Sequence, residues 1–486
     1  MTLGLAAAVT LAVVVVVLVA IKPAELVLIV DPGEIVRTGY TLSKALSNLA
    51  AAVTIGSAFL VATALPAHKA AHRSMFRLIR TAALVWAGAG VIASVFTFAS
   101  ISGIAIENAT KSGFWSQASY YATDIELGQG WTATILVAVV IAIWSSIARP
   151  TTGHAAVLAL IGIGGLVPLA QQGHAASSAS HNLAVVSILM HVAFASVWLG
   201  GLVGIVWLRR TLPARLLPIV LRRYSTTAMM CFFAVALSGL VSATLRITDL
   251  TALTSTSYGL ILLGKMGVLL ILGALGASFR TKLLPLIETG RSRTFWVLVT
   301  VEVAFMGIAS GLAAVLARTA PPGAEQEIYD TGPVTAAESL TGAPFPAAPT
   351  WSTLFSVQPD PVWIFAITTT GILYIRALQN HARQGHTWRR TRMTLFVVGL
   401  ALTLWVTCGP LSIYATYTVS AYTASLVLLL AAGVLLAAGQ PGSLAAATLP
   451  AEKTPPVVQA NAPNTSGRRP CAMSSPPPQR PASQRE

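Results

Sequence analysis

Residues 183–207 read LAVVSILMHVAFASVWLGGLVGIVW and contain no charged side chain. A helix needs about 20 mostly apolar residues to cross about 30 Å of hydrocarbon, so this run predicts a transmembrane helix. It carries a single histidine, His191, inside the apolar stretch. It also carries the pair Gly200 and Gly201, which allows another helix to approach closely.

The rest of the chain repeats this apolar pattern. Of its 486 residues, 55% are hydrophobic and 10% are charged, whereas a soluble protein carries about 25% charged residues. We therefore predict an all-α, polytopic transmembrane helix bundle with about twelve spans and no soluble catalytic domain. The first run lacks the basic leader and the cleavage site of a signal peptide, so we expect it to remain as a helix. The predicted spans lie near residues 3–21, 43–65, 78–99, 131–148, 155–171, 183–207, 226–245, 258–279, 294–316, 361–379, 394–413 and 420–438.

The charges between the spans predict an orientation. Basic residues are concentrated in alternate loops, which places those loops and both termini in the cytoplasm. The net charge of +15 does not indicate nucleic-acid binding, because the basic residues lie in short loops between apolar runs. The basic loops carry Lys69, Arg73 and Arg77, then Arg209, Arg210, Arg215, Arg222 and Arg223, then Arg280, Lys282, Arg291 and Arg293, then Arg376, Arg383, Arg389, Arg390 and Arg392, and the acidic loops carry Glu107, Asp124 and Glu126, then Glu325, Glu327, Asp330 and Glu338.

Two segments are unsuited to lipid and divide the chain. Residues 319–357, rich in Pro, Ala, Gly and Thr, predict an external linker between a nine-span part, residues 1–318, and a three-span part, residues 358–440. Residues 441–486 are rich in Pro and poor in apolar side chains, so they predict a disordered cytoplasmic tail.

Motifs of the familiar enzyme classes are missing from the sequence. It has no Walker loop, no HExxH and no dinucleotide-binding fingerprint, so we expect no enzyme activity. Cys231, Cys408 and Cys471 fall in two different spans and the tail, which argues against a disulfide framework.

Three histidines lie on the external side of the sixth predicted span. His174 and His181 are in the loop before it, and His191 is inside it. A loop rich in Gly, Ala and Ser can fold back over the bundle, and neutral imidazoles are good ligands for copper or zinc. The thioether of the neighbouring Met190 would favour Cu(I). The alternative is that the loop histidines are solvated and that His191 bonds a neighbouring serine or carbonyl.

Ionisable side chains inside a span are costly in lipid and mark candidate functional sites. Lys265, in the eighth span, can extend towards the surface or pair with Glu302 of the ninth span. Glu302 can instead relay protons or bind a passing cation, with Met306 one turn along its face. Trp198 falls on the face of His191, two turns deeper. We predict a transport path along Glu302, Lys265, Trp198 and Met306.

Longer stretches resemble known membrane families. GHAASSASHNLAVVSILMHVAFASVWLGGL at 173–202, YGLILLGKMGVLLILGALGASFR at 258–280 and VEVAFMGIASGLAAVLARTAPP at 301–322 resemble the copper resistance D (CopD) family. DPGEIVRTGYTLSKALSNLAAAVTIGSAFL at 31–60 is similar to actinobacterial members in which a CopD part is fused to a cytochrome c oxidase assembly (CtaG-type) part. HTWRRTRMTLFVVGLALTLWVTCGPLSIYA at 386–415 resembles the beginning of that second part.

The resemblance implies movement of copper from the outer side across the membrane. It matches His174, His181 and His191 to positions where such members carry histidine, and it also matches Lys265 and Glu302. The second part departs from its family, since residues 417–441 lack the histidine-containing stretch typical at this place. We therefore expect a truncated second part that does not deliver copper to an oxidase by itself.

These observations leave three hypotheses. The first is a copper transport protein of the bacterial plasma membrane, surrounded by the lipid bilayer and taking the copper ion as its substrate. The second is a cytochrome c oxidase assembly factor without transport activity, with oxidase subunits or an external copper chaperone as partners. The third is a structural membrane protein whose histidines bind nothing.

Overall fold

The structure is a computed structural model. It describes residues 33–103, 113–171, 181–209, 211–247, 249–283, 293–316, 348–383, 389–415 and 417–439, together with residues 319, 321, 322 and 346. The predicted first span at 3–21, the tail at 441–486 and most of the linker lie outside the described residues.

Long α-helices make up the described part of the chain, which contains no β-strand. Ten of them are long and apolar enough to cross a membrane, so the fold is the predicted all-α polytopic bundle. We number the helices α1 Glu34–Thr63, α2 Lys69–Ser102, α3 Phe114–Asp124, α4 Glu126–Ile147, α5 Thr152–Gly164, α6 His181–Leu208, α7 Leu217–Thr244, α8 Ser257–Ser278, α9 Arg293–Leu316, α10 Pro361–Arg383, α11 Arg390–Cys408 and α12 Val419–Ala438.

Each predicted span from 43–65 onwards falls on one long helix or on two successive helical segments. Candidate spans include every labelled helix except α3, which is short, and α9, whose described apolar stretch Val299–Ala313 is shorter than the others. Helix α2 begins at Lys69, not near residue 78, so its basic residues lie on helical turns and not in a loop. A hydropathy window ends at the first charged residue, whereas the backbone hydrogen bonds of a helix continue past it. The helix therefore begins before its apolar run.

Two local features differ from the predicted pattern. Helix α3 was not predicted, and it packs through Phe114 and Tyr121, whose rings lie 5.4 and 5.6 Å from the ring of Phe98 on α2. The predicted span at 394–413 is interrupted, because α11 ends at Cys408 and a short helix, Pro410–Ala415, follows. Proline has no backbone N–H and restricts the residue before it, which ends the helix at this point.

Helices α1 and α6 cross at close range. A Cβ on Gly56 would lie 2.5 Å from the backbone nitrogen of Gly201, and a Cβ on Gly200 would overlap the carbonyl oxygen of Ala52. The hydroxyl of Ser57 donates to the carbonyl of Gly200 at 3.5 Å. The close helix approach predicted from Gly200 and Gly201 is therefore confirmed.

The remaining helices pack against this pair or against one another. Helix α1 also packs against α2 and α5, α6 packs against α7, and α8 packs mainly against α9. Helix α10, from the second part, contacts both α6 and α7, and the rings of Phe194 and Phe365 lie 4.9 Å apart at this contact. Helices α11 and α12 pack on each other.

A candidate metal path along helices α6, α7 and α9

His191 connects α6 to α7 through one ring nitrogen. Its Nδ1 lies 3.1 Å from the carbonyl oxygen of Val235 and 3.2 Å from the Oγ of Ser238. The Ser238 hydroxyl donates to the Ala234 carbonyl at 2.6 Å, so its oxygen accepts towards the imidazole. Both neighbours of Nδ1 are thus acceptors, and we assign the proton to Nδ1 on this hydrogen-bond pattern. This tautomer leaves a lone pair on Nε2, as in histidines that bind metals.

A second polar side chain shares the face of His191. Ser187 precedes it by one helical turn and is fully buried, and its Oγ has no hydrogen-bond partner among the described residues. Residues four apart on a helix are neighbours on one face. Met190 is also buried, but consecutive residues of a helix do not face the same way. A role of the Met190 thioether beside His191 stays a prediction.

The other two predicted histidines cannot be placed. His174 lies outside the described residues, and of His181 only the backbone, at the start of α6, is described. Within the described ranges, no group of three or more His, Cys, Asp or Glu side chains could hold a metal ion. The three-histidine site stays a prediction.

Trp198 links α6 to α9 about 10 Å further along α6 than His191, at 1.5 Å per residue. Its indole Nε1–H donates to Oε1 of Glu302 at 3.2 Å. Its backbone carbonyl accepts from the Tyr224 hydroxyl at 2.6 Å, and its ring meets the ring of Phe232 edge-on at 6.1 Å. Tyr224 therefore fixes the backbone of Trp198 and Phe232 packs on its ring, while the indole N–H donates to the carboxyl group.

Among the described residues, Glu302 of α9 is the one buried carboxyl group. It is 8% exposed, and Met306, one turn further along α9, is 6% exposed. Neither Lys265 nor any other described cationic side chain forms an ion pair with Glu302, whose partner is the neutral indole. The Lys265–Glu302 pair considered from the sequence is absent. Lys265 lies within α8.

Three residues of α7 were missed by the sequence interpretation. Tyr224, Cys231 and Ser238 recur every seven residues, so they share one helix face. Tyr224 and Ser238 contact α6 directly, and the buried thiol of Cys231 belongs to the same contiguous core as Trp198 and Met306. The seven-residue spacing was available in the sequence, but it did not show that this face meets α6.

Three family models match successive segments of the chain. Copper resistance protein D-like, N-terminal domain, matches residues 35–184, and copper resistance protein D matches residues 218–316. Cytochrome c oxidase caa3 assembly factor matches residues 372–474. The chain joins a CopD-type part to a CtaG-type part. No curated protein and no solved structure matches the chain.

The residue ranges that match the family models contain only some of the candidate site residues. His174 and His181 lie in the CopD-type N-terminal match, and Lys265 and Glu302 lie in the second CopD-type match. His191 and Trp198 lie between these two ranges, so their candidacy depends on the geometry. The CtaG-type match begins inside α10 and continues past residue 440, where we predicted that this part ends.

Proposed function

We propose that this CopD-type protein moves copper across the bacterial plasma membrane. The observation that supports the proposal is the alignment of two polar contacts along α6. His191 meets α7, and Trp198 with Glu302 meets α9, beside the apolar side chains of the main core. Ionisable groups in a membrane interior are costly, so those that are present mark candidate functional sites.

Copper would first bind to imidazole nitrogen atoms. His174, His181 and His191 would receive the ion on the non-cytoplasmic side, with Nε2 of His191 as the deepest of these donors. Further along the path, the Glu302 carboxyl group offers oxygen and Met306 offers a thioether. Two or three ligands at each position allow binding that is still weak enough for release.

The test measures copper uptake into proteoliposomes that contain the purified full-length protein. We expect His191→Ala to reduce the initial rate at least tenfold, because the deepest imidazole donor is lost. His154→Ala is the matched control, since His154 lies at the start of α5 and bonds the Arg149 carbonyl at 2.8 Å. Equal rates for both variants and the wild type would contradict the proposal.

A second function is supported by the CtaG-type match and by the contact of α10 with α6. In this alternative, the protein hands copper to cytochrome c oxidase subunits, or exchanges it with an external copper chaperone, and does not transport it. The triple variant with alanine at His174, His181 and His191 separates the two functions in cells. Loss of cellular copper accumulation indicates transport, whereas loss of oxidase activity alone indicates assembly.

A further inference from the structure

Helix α10 of the second part lies against both helices that hold His191. It contacts α6 and α7, and Phe365 packs edge-on against Phe194 at 4.9 Å with an interplanar angle of 62°. Phe194 stands three residues after His191 and four before Trp198, so it is a neighbour of both on the surface of α6. The acceptors of the His191 ring, Val235 and Ser238, belong to α7. Helix α10 thus contacts both the helix that carries His191 and the helix that carries its hydrogen-bond acceptors.

The start of α10 is fixed by the second part itself. Oδ1 of Asp360 accepts from the backbone nitrogens of Val362 and Trp363 at 2.8 and 3.2 Å, which satisfies two of the free N–H groups at the helix start. Next to this cap, the backbone nitrogen of Gln358 donates to the carbonyl of Cys408 at 2.8 Å, at the end of α11. Phe365 is therefore presented one turn after a capped and anchored helix start.

The α7 side of this contact is anchored as well. Arg280, in the helical turn just after α8, donates to the carbonyl of Ser225 at 2.8 Å and to its Oγ at 3.2 Å, which joins this turn to α7. Helix α10 therefore packs against a helix that is itself tied to its neighbour.

We propose that helix α10, whose second half begins the CtaG-type match, acts within the same chain as a positioning element for the site at His191, through Phe365 and Phe194. Phe365 contacts no proposed ligand and is a positioning residue. By packing on Phe194 it fixes the rotation of α6 against α7, and so the direction of His191 Nε2. This inference rests on the proposed function. It gives the second part a role that requires no histidine of its own.

The experiment measures the affinity of the purified full-length protein for Ag(I), a redox-stable monovalent analogue of Cu(I), by competition with a chromophoric chelator. We expect Phe365→Ala to weaken binding several-fold, up to about tenfold, since an aromatic pair contributes on this scale beyond its buried area. Phe365→Leu keeps most of the apolar volume and should restore most of the affinity. Trp363→Ala is the control, because Trp363 lies on the same helix and is 38% exposed.

A double-variant cycle shows whether the effect passes through Phe194. Phe365→Ala should add no further loss to Phe194→Ala, whereas a general weakening of the bundle would add in full. Additive losses, or wild-type affinity in Phe365→Ala, would overturn the inference. If Phe365→Ala does not fold, Phe365→Val takes its place in the cycle. Weaker Ag(I) binding that does not add to the loss in Phe194→Ala then supports the inference, and additive losses or wild-type affinity overturn it. Weakened binding in His191→Ala with unchanged binding in Phe365→Ala would refute the positioning role and leave the proposed function standing.

Discussion

At the scale of the residue, Trp198 is the donor that makes a carboxyl group tolerable inside the bundle. Its Nε1–H donates to Glu302, its ring packs edge-on against Phe232, and its backbone carbonyl accepts from the Tyr224 hydroxyl. A buried polar group without its hydrogen bond costs about 1–3 kcal/mol.

Replacing Trp198 by phenylalanine removes this donor and keeps an aromatic ring beside Phe232. We expect Trp198→Phe to lose about 1–3 kcal/mol of stability, measured as a lower thermal unfolding midpoint in detergent. Trp363→Phe, on the partly exposed Trp363, serves as the comparison and should be close to wild type. The same midpoint for both variants would show that the Glu302 carboxyl group does not depend on the indole.

We expect different changes in stability when either of two fully buried serines is replaced by alanine. The Ser238 hydroxyl donates to the Ala234 carbonyl and lies beside the His191 ring, whereas the Ser187 hydroxyl has no partner among the described residues. Ser238→Ala should cost about 1 kcal/mol, and Ser187→Ala should be neutral or slightly stabilising, because removing an unsatisfied polar group relieves its desolvation cost. Thermal unfolding of the two variants side by side checks this order. A destabilising Ser187→Ala would mean that Ser187 has a partner, such as a bound water.

At the scale of the element, the crossing of α1 and α6 depends on glycine. At Gly200 an added methyl group meets backbone, which cannot rotate away as a side chain can. Small residues at such crossings allow the van der Waals contact that drives helix association in lipid.

Gly200→Ala should therefore separate α1 from α6 and destabilise the bundle by about 1–3 kcal/mol. Since α6 carries both His191 and Trp198, copper uptake should fall with stability. Gly88→Ala on α2 is the matched control, because nothing lies within 4 Å of its added Cβ. Thermal unfolding and copper uptake are measured on both variants, and a stable, active Gly200→Ala protein would show that the crossing is looser than described.

At the scale of the whole molecule, the orientation decides which end of the path receives copper. The alternation of loop charges places residues 172–180 outside the cell and the loop between α6 and α7 inside. This orientation stays a prediction, because length and apolar composition identify spans without giving their direction.

Cysteine labelling in intact cells tests the orientation. In a background with Cys471 replaced by serine, a membrane-impermeant maleimide should label Ser177→Cys directly and Ala214→Cys only after permeabilisation. The remaining Cys231 and Cys408 are buried and should stay unlabelled in both cases. The reverse pattern would place the predicted copper entrance on the cytoplasmic side.

Much of the fold could be predicted from the sequence. Whether a segment spans a membrane depends on its own length and apolarity, so the spans followed from local windows such as residues 183–207. The glycine pair at 200 and 201 likewise predicted that another helix packs closely against α6. Helix α3 and the break before Pro410 were missed, because an amphipathic helix carries a weaker apolar signal and one proline does not lower the average hydropathy of a span.

The candidate site required the tertiary structure. His191 and Val235 are 44 residues apart, and Trp198 and Glu302 are 104 residues apart. Whether such residues meet depends on the rotation and the depth of two separate helices, which neither helix encodes alone. For this reason the sequence analysis identified Glu302 as a buried acid but considered Lys265 as its partner. In the structure, α6 packs against α9 and the partner is Trp198. The sequence alone thus determined which segments enter the membrane and which polar side chains enter with them, and only the packing of the helices decided how those side chains pair.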